Sequence, residues 1–247
     1  MRVGIISDVH GNRVALAAAL AALERVGVDT LVCLGDVAAT GPQPTEAIAL
    51  LQESGAATVM GNTDAWLLDP PADRPAAGDD RILDEVERWG AARLRPDDRA
   101  FLEGFAPTVT VPLPGGRTLL ACHGSPRSFD EELLPTLPDA ELAEILGGET
   151  ADVVAAGHTH LPMVRRTGGR LLLNPGSVGL PFDPQPPGPG SRHPAWAEYA
   201  VLEADERGGL AVTLGRVDWD LREIVAAAKG SGMPHAAWYT AGWTEEA

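Results

Sequence analysis

The chain has 247 residues, 45% of them hydrophobic and 22% charged, which is enough to bury a sizeable core without disulfide staples. Its 35 acidic and 19 basic residues leave a net charge of −16, and an acidic surface of that kind repels polyanions and argues against nonspecific nucleic-acid binding. Two cysteines, Cys33 and Cys122, form no C-x-x-C pair and read as small buried hydrophobes, while the longest apolar stretch, Val14–Leu23, is too short and Ala-rich to span a membrane. The opening MRVGIISDVH does not read as a signal peptide, so the expected location is cytoplasmic.

Val3–Ser7 reads as a buried strand ending in Asp8-Val9-His10-Gly11-Asn12. Asn12 is placed to cap a helix over Val14–Val26, whose stripe is Leu16, Leu20, Leu23 and Val26 and whose stop is Gly27. A strand at Thr30–Leu34 leads into Gly35-Asp36, a helix follows over about Thr45–Glu53, and a third strand at Ala57–Met60 leads into Gly61-Asn62-Thr63-Asp64. Strand, polar turn and helix thus recur three times, which predicts parallel strands with crossover helices and places Asp8, His10, Asp36 and Asn62 at strand carboxyl ends. Any one of these is explained equally well as a turn former or cap; all four together are not.

Residues 65–107 break the rhythm: a Pro-, Ala- and Asp-rich loop over Asp69–Asp80, a helix over Ile82–Leu94, and a short helix opened by Pro96. This reads as a helical insertion, either a cap beside the site or a pair packed on the sheet edge. Hairpins are expected at 108–122, 162–174 and 196–217, around Pro114-Gly115-Gly116, Gly168-Gly169 and Arg207-Gly208-Gly209. The first delivers His123-Gly124-Ser125. Between the first two, a helix over Asp139–Leu146 and a strand over Asp152–Ala156 lead to Gly157-His158-Thr159-His160. In an extended segment His158 and His160 would point the same way, within reach of one metal. Asn174–Gly179 follows the second hairpin, residues 181–194 form a Pro- and Gly-rich loop, Leu221–Ala228 is a last amphipathic helix, and the tail from about 230 shows little periodicity despite Trp238 and Trp243.

Asp8, His10, Asp36, Asn62, His123, His158 and His160 are seven N- and O-donors with no thiolate, too many for one tetrahedral zinc and suited to two metals of borderline hardness. Asp36, on the middle of the first three strands, is the natural bridge. The ordered set D-x-H, GD, GN, HG and GH-x-H resembles the calcineurin-like metallophosphoesterase superfamily from Arg2 to about Gly179. The DVHGN opening and the NPGSVG segment are similar to its smaller bacterial branch of phosphodiesterases and diadenosine tetraphosphatase relatives.

The resemblance implies an α/β fold, a four-layer α-β-β-α sandwich of two mixed β-sheets flanked by helices. With no internal repeat and no linker that would split it, the chain reads as one domain over residues 1–247, with the insertion at about 65–107 and an irregular tail from about 230. The resemblance also implies two divalent metal ions, Mn first among Mn, Fe, Zn and Ni. One would be held by Asp8, His10, Asp36 and His160, the other by Asp36, Asn62, His123 and His158. The implied reaction is hydrolysis of a phosphodiester or phosphoanhydride by in-line attack of a hydroxide between the metals, on a small, nucleotide-type substrate. Asp36, Asn62 and Asp64 are the expected catalytic residues, and Asn12 and Ser177 the expected substrate contacts. The alternatives are a phosphomonoesterase or protein phosphatase of the same family, and a noncatalytic scaffold such as the family's retromer subunit. One departure stands out: where many members read GNH[DE], this chain has Thr63, which cannot act as an acid near neutral pH. His193 offers a substitute acid; the plainer reading is a surface histidine.

Overall fold

The computed structural model describes residues 1–71, 78–182 and 192–244. It opens with β1 (Arg2–Ile6), α1 (Arg13–Val26), β2 (Thr30–Cys33), α2 (Pro44–Ser54) and β3 (Ala57–Thr58), followed by α3 (Asn62–Leu68), α4 (Asp79–Arg93) and α5 (Pro96–Glu103). Next come β4 (Val109–Leu113), β5 (Arg117–Ala121), α6 (Asp139–Leu146), β6 (Val153–Ala155), β7 (Met163–Thr167) and β8 (Arg170–Asn174). The chain continues through β9 (His193–Pro194), β10 (Trp196–Ala204), β11 (Leu210–Asp218), α7 (Leu221–Gly230), α8 (Ala236–Ala241) and β12 (Trp243–Thr244).

Two mixed five-stranded sheets result, ordered β11-β10-β1-β2-β3 and β4-β5-β6-β8-β7. β1, β2 and β3 are parallel, as the strand–helix alternation predicts, and the β10–β11 hairpin joins them antiparallel to β1. In the second sheet β5, β6 and β8 are parallel and β4 and β7 flank them antiparallel.

Strand periodicity explains the layers. Val3, Ile5, Val32 and Leu34 face Leu119, Ala121, Val153, Ala155 and Leu173 in one core between the sheets. The alternate residues Ile6 and Cys33 face Leu16 and Leu23 of α1 and Ile48 and Leu51 of α2. Cys122, Val154 and Leu172 face Leu142 and Ile145 of α6. Both faces of each sheet are therefore buried, in the order helix, sheet, sheet, helix. Each such aliphatic side chain contributes roughly 1.5–3 kcal/mol by leaving water. Cys33 and Cys122 are buried as expected, and burial pushes both thiols up, Cys122 to about 12.

The tail departs from expectation. It carries α8 and then β12, which pairs in parallel with β9. Met233, Tyr239 and Trp243 anchor it in a cluster with Val86 of α4 and Ile224 and Ala228 of α7. A six-residue helix and a two-residue strand are too short to leave a periodic signal. In the 65–107 segment, α5 packs into the α1–α2 core through Leu102, whereas α4 turns to the C-terminal cluster. Most of the loop expected at 181–194, and residues 72–77 of that expected at 69–80, lie outside the described residues. No helix among the described residues is long and apolar enough to cross a membrane.

Candidate metal centre

Asp8 and His10 follow β1, Asp36 follows β2, and Asn62 opens α3 after β3. His123 follows β5, and His158 and His160 follow β6. Five of the seven sit in left-handed backbone, with φ of 56° at Asp8, 47° at His10, 54° at Asp36, 64° at His158 and 55° at His160. Asp and His tolerate this region better than branched residues, and such strain clusters at functional sites. The two imidazoles after β6 are thus not on an extended segment. They diverge, because each residue turns the chain rather than continuing the strand.

The donors gather in two groups, Asp8 with His10 and His160, and Asp36 with His123 and His158. In the first, His160 Nε2 lies 3.2 Å from Asp8 Oδ1 and 3.1 Å from His10 Nε2. In the second, His123 Nε2 lies 2.9 Å from Asn62 Oδ1 and 3.4 Å from Asp36 Oδ2. Asp36 Oδ2 is also 3.7 Å from His10 Nε2, so this carboxylate stands between the groups.

The donor set fits cations. A carbonyl can only accept, so His160 Nδ1–H donates to Leu180 O at 2.8 Å and His123 Nδ1–H to Leu34 O at 2.7 Å. In the neutral rings, both Nε2 atoms then present lone pairs to carboxylate, amide or imidazole acceptors. Asp8 Oδ1 is buried with no hydrogen bond. Lone pairs converging in a buried space call for positive charge among them. The protonation preferences of these groups follow the same field. Burial opposes charge on His123, yet Asp36 overcomes it and raises the imidazole to about 10. Burial likewise opposes ionisation of Asp36, but His123 and His10 hold it below the usual carboxylate range. At His10 burial wins and lowers the ring to about 4, leaving the neutral form that ligates metal.

Two glycines let the strand ends meet. A Cβ on Gly61 would collide with Asp36 Oδ1 and the Asp36 amide. One on Gly157 would collide with Ser7 Oγ and lie 2.9 Å from Asp8 Oδ2. Gly157→Ala should therefore part the ends of β1 and β6 and lower the affinity for metal at least tenfold, read by titration of stripped protein; unchanged affinity would contradict this packing argument.

Three expected site residues serve the scaffold. Asn12 is buried, its Oδ1 accepting from Ala15 N at 3.0 Å and its Nδ2 donating to Gly179 O. Ser177 is also buried, its Oγ donating to Asp8 O and accepting from Leu180 N, both at 2.8 Å. Their polar atoms are engaged within the protein, so neither is kept as a substrate contact. Asp64 is buried as well and takes backbone N–H groups from Asp36, Val37 and Gly61 at 2.7, 2.8 and 3.2 Å. It positions the Asp36 turn instead of facing substrate. Burial and the charge on Asp36 push its carboxyl up to about 7, against the pull of those donors.

Other supports left fainter marks in the sequence. Asn174 Nδ2 donates to Gly157 O at 2.7 Å, and buried Glu198 accepts from Ser177 N at 3.2 Å, so the Asn174–Gly179 segment braces both groups. The NPGSVG motif is the legible signal of that segment. The Leu34 and Leu180 carbonyls, which orient two imidazoles, leave none. The site opens into a cavity of about 730 Å³ lined on this side by His10, Asp36, Asn62, Thr63, His158 and His160. The Thr63 hydroxyl is buried there without a hydrogen-bond partner. His193 is half-buried and lines the same cavity, so it is not an open-surface residue.

A model of the calcineurin-like phosphoesterase superfamily domain matches residues 1–206. Phosphodiesterase YfcE of Escherichia coli is 27% identical over 209 residues, covering 83% of this chain and 89% of its own. A metallophosphoesterase from Sphaerobacter thermophilus is 27% identical with a TM-score of 0.72, covering 98% of both chains. The hypothetical protein PH1004 from Pyrococcus horikoshii, 21% identical over 95% of this chain and 94% of its own, shares the fold with a TM-score of 0.77. The chain belongs to the calcineurin-like phosphoesterase superfamily, whose members include hydrolases of phosphoric esters.

Proposed function

We propose that this protein is a dinuclear metal-dependent phosphodiesterase. The observation that carries the reading is the pair of donor groups sharing Asp36 between them. Two divalent ions there, Mn(II) or a metal of similar hardness, would supply Lewis-acid activation of water and of the phosphoryl oxygens. The protein's part is to hold neutral imidazoles and ionised carboxylates in fixed orientation and to keep the reacting phosphorus at the mouth of the cavity. All seven donors are present, which favours an enzyme over a noncatalytic scaffold. The phosphodiesterase relative supports the diester reading; a phosphoanhydride remains a second substrate class of the same chemistry.

Thr63 narrows the reading. Its amide donates to Asp36 Oδ1 at 3.0 Å, and its side chain occupies the cavity wall where many family members carry histidine. A threonine hydroxyl does not protonate a leaving group near neutral pH, so departure depends on the leaving group's own stability. The protein stripped with chelator should be inactive and regain activity with Mn(II). Across aryl and alkyl diesters its rate should fall steeply as the leaving-group pKa rises, and Thr63→His should flatten that slope, a general acid being worth about 10²–10⁴-fold. Equal rates on aryl and alkyl diesters would remove the argument from Thr63. Full activity in the chelated protein would remove the metal reading itself.

A further inference from the structure

We propose that the cavity beside the metal centre binds the planar ring of a nucleoside-type phosphodiester, and that the C-terminal segment around α8 is the wall that selects it. The proposal rests on the phosphodiesterase reading for the phosphate end of the ligand. The ring end rests on observations outside the donor groups.

An aromatic wall runs from the site to the C-terminal segment. Phe182 stacks on His160 with ring centroids 5.0 Å apart and planes 18° apart, His193 lies 5.5 Å beyond Phe182, and Trp243 lies 5.3 Å beyond His193. Tyr239 follows at 5.9 Å from Trp243. Trp238 lines the same cavity and remains 37% exposed, as does Phe182. Two half-exposed aromatic side chains in a concave site give a planar ligand surface on which to stack.

Polar atoms point the same way. Tyr239 and Trp243 are 5% and 6% exposed; the Trp243 indole N–H faces the Tyr239 oxygen, and the Tyr239 hydroxyl proton is left without an acceptor among the described residues. A buried donor of this kind asks for an acceptor, and a heterocycle offers ring nitrogens and carbonyl oxygens. Among the described lining residues, Arg192 is the one Arg or Lys, and Asp79 and Glu87 are carboxylates outside the donor groups. Phosphate recognition therefore stays at the metal end, and the remainder recognises a ring by its face. The family match ends at residue 206, so α8 and β12 lie beyond it. The wall is thus built partly from a segment outside the family match, one that the Sphaerobacter thermophilus protein, covering 98% of this chain, also spans.

The test compares two diesters with one leaving group, thymidine 5′-(4-nitrophenyl phosphate) and methyl 4-nitrophenyl phosphate, on Mn(II)-loaded protein. In both, water adds at phosphorus, the P–O(aryl) bond breaks, and 4-nitrophenolate and a proton are released; only the retained group differs. The expected kcat/KM ratio favours the thymidine ester by about tenfold or more, the range set by stacking one base. It should fall toward one in Trp238→Ala and in Phe182→Ala. A wild-type ratio near one, or a ratio unchanged in both variants, overturns the ring site while leaving the phosphodiesterase reading intact. Turnover of neither ester overturns the phosphodiesterase reading. The ring site is then decided in metal-free protein: saturable quenching of tryptophan fluorescence by thymidine, lost in Trp238→Ala, upholds it, and no saturable quenching overturns it.

Discussion

Asp36→Ala should lose both metal ions and lower phosphodiester hydrolysis by about 10³-fold or more, on the scale of removing a principal electrostatic element of an active site. The expectation follows from position. Asp36 Oδ2 is the carboxylate atom within 3.7 Å of His10 Nε2 and 3.4 Å of His123 Nε2, one from each donor group. Its other oxygen, Oδ1, accepts from the Thr63 amide and ties the β2 turn to α3. Alanine removes both functions and must also sit at a φ of 54°, a left-handed conformation that costs an ordinary L-residue roughly 1–2 kcal/mol. Asp36→Asn separates these effects, since it keeps an acceptor for Thr63 and a residue that tolerates the turn. It should lose metal nearly as completely as alanine, and melt in the metal-free state earlier than wild type but later than alanine, because the carboxylate whose ionised form is held by His123 and His10 has gone while the Thr63 contact stays. Metal content by elemental analysis, read with thermal melting, decides the matter. One retained ion per chain with activity within tenfold of wild type would show that the two groups do not share Asp36.

What the sequence made legible follows the physics of each signal. Apolar runs alternating with helices located the parallel strands of the first sheet, and glycines at reversals located the hairpins; that the strands form two facing sheets is what the family resemblance implies, not something the periodicity shows. The seven donors were legible because all stand within a few residues of the end of an apolar run, where a parallel strand delivers its ligand. The reason for the divergence of His158 and His160 was not legible: it lies in backbone φ, and the residue letters carried no warning that the strand stops at Ala155. Asn12 and Ser177 looked available because they neighbour Asp8 and His10 in sequence or motif. Burial turned their polar atoms inward, to a helix cap and a carbonyl. The wall around Trp238 was invisible for another reason. It forms from α4, α8 and residues near 182 and 193, brought together only by tertiary packing.

Asp64→Asn should cost about 10²-fold in kcat/KM without changing the shape of the pH–rate profile of the metal-loaded protein, in which bound cations would offset the Asp36 charge that raises the Asp64 carboxyl; the loss is that expected when a reacting group is misplaced by about an ångström. The acid in a GN-x-D segment invites a catalytic role, as an orienting partner for a histidine. Here there is no histidine to orient, and Asp64 does not line the cavity. All three groups that meet its carboxylate are N–H donors, with Asp36 and Gly61 on Oδ2 and Val37 on Oδ1. Asparagine presents one oxygen and one amide nitrogen to the same set. In either orientation its NH₂ faces a donor, and a buried donor left unpaired costs roughly 1–3 kcal/mol. The strain is relieved by moving the turn, and the turn carries Asp36. A positioning role therefore predicts weaker metal affinity, a lower melting temperature and a unchanged pair of limbs in the pH profile once saturating metal is supplied. A proton-transfer role predicts the opposite: normal metal affinity and loss of one limb. Gly61→Ala attacks the same turn from the other side, through a Cβ that would meet Asp36 directly, and should reproduce the first pattern. If the two variants diverge, with Asp64→Asn changing the pH profile while Gly61→Ala changes only metal affinity, then Asp64 acts in chemistry and the scaffold role assigned to it here is refuted.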